Sequence, residues 1–579
     1  MQSLKHRITS HIWGLAGILT FLPLGGLGLA LTSCSDIMDT DSELIEFQED
    51  NQLQFATDSV YSVMGIIYKM QAIADRTVIL GELRSDLSTT TPAASADLKA
   101  IANFEISTDN AYNRISDYYA VINNCNYFLT HINLNIVKNN RNVFEGEYAA
   151  VKAFRAWTYL QAVLVYGSVP LVTEPLLTED AAQAAMRQTP QGITAICKYF
   201  INDLKPYIDT KLPDYKQISN HPSEKFFIPV RLILGDLCLW AGRYDEAAMY
   251  YHDFLSLRTS PVRTTKGRVE WLDAVNKQYR SVMSSLSYGR NNSECLCYIP
   301  METSLFYGVR SELENIFSST NLNRGFAQVT PAKHLRDLSA ASNYCFSYTK
   351  VDGSIDTLYA AKDNIERGEL VGDLRFGYNY SKTVRAEERF SRVSNETQTI
   401  MKFNNNGVNL YRTNMVYLRY AEALNRAGYP QSAFAVLKYG LYPDIVAAQV
   451  DSVERKAAGT LIDFDVDLFT VDNTQGIHSR GSGDAQCDTL YCLPQPATAL
   501  AARQDTVDYQ IPLVEDMIIN EMALEGSFEG YRYYDLMRVA LRRGDNAYLA
   551  DPVSLRNGTV DAALRSKLMS SDNWYLPKP

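Results

Sequence analysis

Between Glu147 and Val172 the chain reads EYAAVKAFRAWTYLQAVLVYGSVPLV, and its apolar positions Val151, Phe154, Trp157, Leu160 and Leu164 recur every three or four residues. That spacing places them on one stripe of a helix. Ala149, Ala150, Ala153, Ala156 and Ala162 widen the stripe with small side chains, so the helix is expected to be buried on more than one side. Gly167 is placed to cap it and Pro170 forbids continuation, which predicts a short extended run from Val169 to Thr173. Phe55 to Met70 predicts an amphipathic helix, and Tyr118 to Ile132 another. The second carries Asn123, Asn124 and Asn126 in its middle, where asparagine is costly. Bonds from these amides to neighbouring loops are the expected compensation.

Two longer stretches predict helix pairs. In Phe227 to Leu255, residues Gly235, Gly242, Tyr244, Ala247 and Tyr251 fall at the spacing of a tetratricopeptide helix–turn–helix, where a glycine lets helices cross closely. Phe254 stands where a small residue is usual, so the repeat is degenerate. Met415 to Leu437 repeats the logic with Ala421, Leu424, Gly428 and Ala433, and Pro430 opens its second helix. Helical periodicity fades from about 256 to 412, and a second polar, Gly-rich stretch runs from about Asp472 to Gln495. Long irregular insertions in a helical scaffold commonly carry binding function.

At the N-terminus Lys5 and Arg7 precede an apolar segment from about Ile12 to Leu31, which ends in Leu31-Thr32-Ser33-Cys34. This predicts a signal peptide over 1–33 with a lipobox, and lipidation of Cys34. Several acyl chains at roughly 0.8 kcal/mol per buried methylene would make such anchoring effectively permanent. Ser35, Asp36, Asp39, Asp41 and Glu43 predict an acidic tether over 34–46.

Composition narrows the function. A net charge of −11, with no basic run beyond the N-terminus, argues against nucleic acid as a partner. The 37 tyrosines supply flat apolar faces with hydroxyls, suited to protein cores and to carbohydrate or peptide contacts alike. None of the nine cysteines has the spacing of a zinc site, and the run Asp484 to Asp488 lacks the ligand pattern of a calcium loop. No metal or cofactor is expected. The chain has no H-E-x-x-H, G-x-S-x-G, phosphate-binding or dinucleotide motif. Glu525 and Glu529, four apart on one helix face, imitate a glycosidase acid pair, but there the carboxyls come from separate elements. An ion-pair network with Arg532 and Arg538 is the expected role, and no catalytic residue is assigned.

The run A-x-x-A-x-R-A-x-x-Y followed by Y-G-x-V-P-L-V-T, at Ala150 to Thr173, closely resembles the signature helix of SusD/RagB proteins, nutrient-binding lipoproteins of Bacteroidetes outer membranes. Further segments follow in the family's order. They are Gly81-Glu82-Leu83-Arg84-Ser85-Asp86, the V-I-N-x-x-N-x-F-L helix, Asp373-Leu374-Arg375-Phe376, Lys402-Phe403, the block from Glu521 through Glu525 and Glu529 to Arg538, and Trp574-Tyr575-Leu576-Pro577. The resemblance implies a mainly α fold: a SusD-like α-helical scaffold with tetratricopeptide-like pairs (about 145–255 and 413–438), a variable insertion (about 256–412) and a C-terminal block (about 511–579) in one domain, 47–579.

It also implies a lipid-anchored protein facing the cell exterior. Such a protein captures an oligosaccharide, or a peptide on the RagB branch, for a SusC-like TonB-dependent transporter without cleaving it. Aromatic platforms in the family come from the loop after the first helices and from the mid-chain insertion. By region and chemistry the corresponding candidates are Tyr112, Tyr118, Trp271, Tyr288, Tyr298, Phe306 and Tyr307.

Overall fold

The computed structural model describes residues 56–138, 140–257, 269–273, 278–281, 294–301, 310–318, 327–342, 345–359, 373, 375–376, 380–384, 396–400, 402–403, 407–470, 475–482 and 491–578. Helices make up most of it, in the order α1 (Ala56–Leu83), α2 (Ala96–Ala102), α3 (Ile115–His131), α4 (Glu145–Tyr166), α5 (Ile193–Leu204), α6 (Val230–Trp240) and α7 (Tyr244–Leu255). Then come α8 (Lys333–Ala340), α9 (Thr413–Arg426), α10 (Pro430–Lys438), α11 (Arg503–Glu525) and α12 (Arg532–Arg543), with shorter helices between. Strands are few and pair in twos. β1 (Ser88–Thr90) runs antiparallel to β3 (Val329–Pro331), and β2 (Cys295–Pro300) to β4 (Gly407–Arg412), with Tyr298 opposite Asn409.

The alanine-rich helix is α4, and it lies at the centre. Every residue from Ala149 to Tyr166 is buried except Gln161, because small side chains admit neighbours on all sides. Gly167 caps it at φ +76°, a conformation that costs other residues energy. The expected amide bonds form: Asn123 exchanges bonds with the backbone of Leu176, and Asn126 donates to Val172 and Glu174 while accepting from Arg155. Asn124 instead donates back to Ala120 in its own helix.

Both helix pairs form, α6 with α7 and α9 with α10, and α9 also packs on α7. Gly235 is required where α6 crosses α7, since a Cβ there would sit 2.5 Å from the Tyr251 ring. Asp236 joins the pairs to β4 by accepting from Tyr251 (2.5 Å), Tyr411 (2.7 Å) and Arg419 (2.8 Å). α1 departs most in length from its expectation. It continues past Met70 to Leu83, because Val78, Ile79, Leu80 and Leu83 extend the apolar face that the core covers. The turn follows at Arg84–Asp86, where Ser85 bonds back to the Glu82 carbonyl. The closing Trp574–Pro577 returns to the core: Arg84 and Tyr533 donate to the Trp574 carbonyl, and Leu576 to that of Val165.

Candidate functional site

Three places concentrate polar chemistry, and their geometry separates them. The first is a fully buried charge cluster. Glu525 accepts from Arg412 (2.6 Å), Arg375 (3.0 Å) and Arg480 (3.1 Å), and Glu529 from Arg412 (2.9 Å) and Lys402 (2.5 Å). Glu294 takes Arg412 and Arg480, while Asp373 and Glu521 take Arg375. The ion-pair role of Glu525 and Glu529 therefore stands, but with other partners than expected. Arg532 instead binds Asp86 through two bonds of 2.8 Å, and Arg538 binds Glu422 and Asp535. Burial would raise the Glu525 carboxyl, yet the three guanidiniums outweigh it and hold Glu525 well below the usual carboxylate range. A general acid needs the opposite shift. Arg375 thus ties the insertion to α11, and Lys402 ties it to Ser527 and Glu529 just beyond that helix.

The second place is a polar cavity of about 70 Å³ between α4, α6, β4 and α12, with Asp236, Arg419, Asp535 and Arg538 in its wall. A water takes roughly 30 Å³, and ligand pockets roughly 300–1,000 Å³. At that size the cavity falls well short of an oligosaccharide site. Arg419 lies over the Tyr411 and Tyr531 rings and Arg538 over Trp240, so these aromatic faces are already taken.

The third place is on the surface, where the loop before α3 meets the chain re-entering after β2. Tyr112 is half-buried, and the half-buried Glu312 carboxylate lies close enough to act on its phenol. The loop is locked: Asn110 accepts from the Tyr112 N–H (3.0 Å), and Asn113 donates to the carbonyls of Ser107 and Pro577. Behind Glu312, Asp75 of α1 accepts from the Glu312 N–H (2.8 Å) and the Ser311 hydroxyl (2.7 Å). One turn earlier, Gln71 donates to the Pro300 carbonyl (2.6 Å) at the end of β2. Arg76 pairs with Asp117 and donates to the Arg114 carbonyl. Burial pushes the Asp75 carboxyl up to about 7, with the Glu312 N–H and Ser311 hydroxyl pulling partly back. Burial also raises Glu312, with the nearby Tyr112 phenol opposing it. Burial, then the charge of Glu312, raises the Tyr112 phenol, which stays a donor.

Of the sequence candidates whose side chains are described, Tyr112 is the one placed at this face. Tyr118 and Tyr298 are corrected: at 1% and 0% exposure neither ring has a face to offer. Tyr118 packs edge-on to Tyr166, and Tyr298 shares a 2.6 Å hydrogen bond with His221 beneath Phe226. Trp271 lies on the strand Val269–Asp273, opposite Tyr279. Tyr288, Phe306, Tyr307 and the lipidation residue Cys34 lie outside the described residues. Sequence reasoning missed Asp75, Ser311 and Glu312. Gln71 and Asp75, four apart among Met70, Ile73, Ala74 and Val78, were the available signal: two polar side chains on an otherwise apolar helix face. Among the described residues no cluster of His, Cys, Asp or Glu could hold a metal, and no helix is long and apolar enough to cross a membrane.

Solved structures identify the architecture. A SusD superfamily protein from Bacteroides vulgatus superposes over 91% of this chain and 96% of its own, with a TM-score of 0.57 at 13% identity. The chain has the SusD fold. A second SusD superfamily protein, from Bacteroides fragilis, matches over 91% of this chain and 99% of its own, with a TM-score of 0.54 at 14% identity. A SusD-like carbohydrate-binding protein, also from B. fragilis, matches over 84% and 86%, with a TM-score of 0.51 at 16% identity. No family model and no curated protein matches the sequence. The SusD likeness thus lies in the path of the chain.

Proposed function

We propose that this protein captures an oligosaccharide at the Tyr112 face and delivers it, uncleaved, to a SusC-like TonB-dependent transporter. The observation that carries the reading is the meeting of Tyr112 with Glu312 on a SusD scaffold. There a half-buried aromatic ring stands beside a half-buried carboxylate, at the surface rather than in the core. Sugars present C–H patches ringed by hydroxyls, so a ring face and adjacent acceptors match their two chemistries. A neighbour of the same fold is described as carbohydrate-binding, which favours a glycan over a peptide. The acid pair that imitates a glycosidase is wholly engaged in buried ion pairs, in keeping with a binding rather than a hydrolytic role. Lipidation of Cys34, with the acidic stretch to residue 46 as tether, would hold the protein on the outer-membrane surface, the place such delivery requires.

The test is calorimetric titration of soluble residues 35–579 with a panel of host and plant oligosaccharides and, in parallel, mixed oligopeptides. Saturable heat with one glycan class supports the reading. Heat with peptides alone, or with neither panel, overturns it.

A further inference from the structure

His478, in the second polar stretch, also enters the buried charge cluster: it is 3% exposed, and its Nδ1 lies 2.8 Å from Glu521 Oε2. Its ring lies flat on Tyr491, with 3.6 Å between centroids and 7° between planes, and the Tyr491 hydroxyl reaches the same Glu521 oxygen at 3.5 Å. Arg375, from the first insertion, pairs with the other oxygen at 2.7 Å. One carboxylate on α11 therefore gathers the first insertion and two points of the second. The charges around His478 favour its protonated form. Among the described residues the cluster holds five carboxylates, Glu294, Asp373, Glu521, Glu525 and Glu529, against four cations, Arg375, Lys402, Arg412 and Arg480. An imidazolium completes the balance where water scarcely reaches, and a cation over a phenol face gains further. Arg480, two residues along, and Lys438, which donates to the Tyr491 carbonyl (2.5 Å), are the cations that oppose it, and Arg480 is spent on Glu294 and Glu525. Burial would raise Glu521, yet Arg375 and then His478 outweigh it and hold the carboxyl at about 2, so the oxygen facing the imidazole is ionised at neutral pH.

We propose that Glu521 latches the two insertions together and keeps His478 as an imidazolium, and that loss of this proton loosens the second insertion from α11. No ligand takes part, so the latch goes beyond the carbohydrate reading and does not rest on it. A neutral imidazole can still donate one hydrogen bond, but the charge assistance is gone and the cluster keeps an unbalanced buried negative charge. The latched state holds His478 above the ordinary histidine value of about 6.5, and a released, hydrated imidazole returns to it. The latched state therefore binds the proton more tightly than the open one. Its stabilisation is complete below about pH 6.5 and is lost as pH rises through the latched value.

Two measurements on the ligand-free soluble protein test this. In magnetic-resonance spectra of protein carrying isotope-labelled histidine, His478 is the signal missing from His478→Gln; it should titrate above about 6.5 in the wild type and lower in Glu521→Gln. Hydrogen exchange on the peptide spanning residues 475–482, corrected for intrinsic exchange, should show local opening rising above about pH 6.5. The rise should be about tenfold for each pH unit by which the His478 titration is displaced, while the α6–α7 pair changes little. The step should vanish in His478→Gln. A His478 that titrates at or below the ordinary value, an exchange profile that stays flat while His478 titrates high, or a step that survives in His478→Gln overturns the proposal. Both wild-type readings decide the matter even if Glu521→Gln fails to fold. Because no ligand is present, failure here leaves the carbohydrate reading standing; silence in the oligosaccharide titration with the exchange step intact removes only the latter.

Discussion

Replacing Glu525 by glutamine separates a structural from a catalytic role for the acid pair. The glutamate accepts three charge-assisted bonds, from Arg412 at 2.6 Å, Arg375 at 3.0 Å and Arg480 at 3.1 Å, with no exposure to water. Each such bond contributes about 1.5–3 kcal/mol net. The amide keeps one accepting oxygen and turns an NH2 toward a guanidinium, so at least one bond is lost and a donor faces a donor. The arginines keep Asp373, Glu521, Glu294 and Glu529, which limits the damage. A loss of about 3–5 kcal/mol follows, the usual cost of removing one partner from a buried pair. Urea unfolding followed by far-UV circular dichroism should show a clearly lower midpoint at unchanged slope. A glycosidase would instead lose hydrolysis and keep its fold. A Glu525→Gln protein within about 0.5 kcal/mol of wild type, the range of an ordinary surface change, would refute the network account.

Gly235→Ala should destabilise by about 1–3 kcal/mol, because its Cβ would meet the buried Tyr251 ring at 2.5 Å; the midpoint of urea unfolding reads it, against a helix-propensity gain of about 1 kcal/mol. Glu82, raised by burial to about 7, binds a proton more readily folded than unfolded. It therefore adds stability at low pH that is lost as pH rises from about 4.5 to about 7, with Asp75 acting in the same sense. Urea midpoints should fall between about pH 5 and pH 8, and Glu82→Gln should flatten the decline. Tyr118→Ala should cost about 3–5 kcal/mol of stability as a core truncation, read by the same unfolding experiment.

The sequence carried the fold where local pattern decides it. The stripe and small residues of α4, the glycine at the α6–α7 crossing and the proline opening α10 are each local signals, and each element forms where its pattern puts it. The partners of Glu525 and Glu529 were not legible, since Arg412 and Arg375 lie more than a hundred residues away and only the tertiary fold brings them near. The three- and four-residue spacing that marks a core stripe also runs through Ile115, Tyr118, Tyr119, Ile122 and Cys125, so burial of Tyr118 was available in the pattern. Tyr298 gave no such warning. Five of the six positions of β2 are buried, and a strand covered on both faces shows no alternation. The Tyr112 face was half legible: region and chemistry suggested the tyrosine, while Glu312 and Asp75 belong to segments that meet it only in three dimensions.

The measurement closest to the central claim is the oligosaccharide titration repeated with Tyr112→Ala beside the wild type. The account predicts that a glycan bound by the wild type weakens about tenfold or more when the ring is removed, as loss of an aromatic contact implies, with the urea midpoint little changed. Unchanged affinity in a folded Tyr112→Ala protein would place the sugar elsewhere and contradict it.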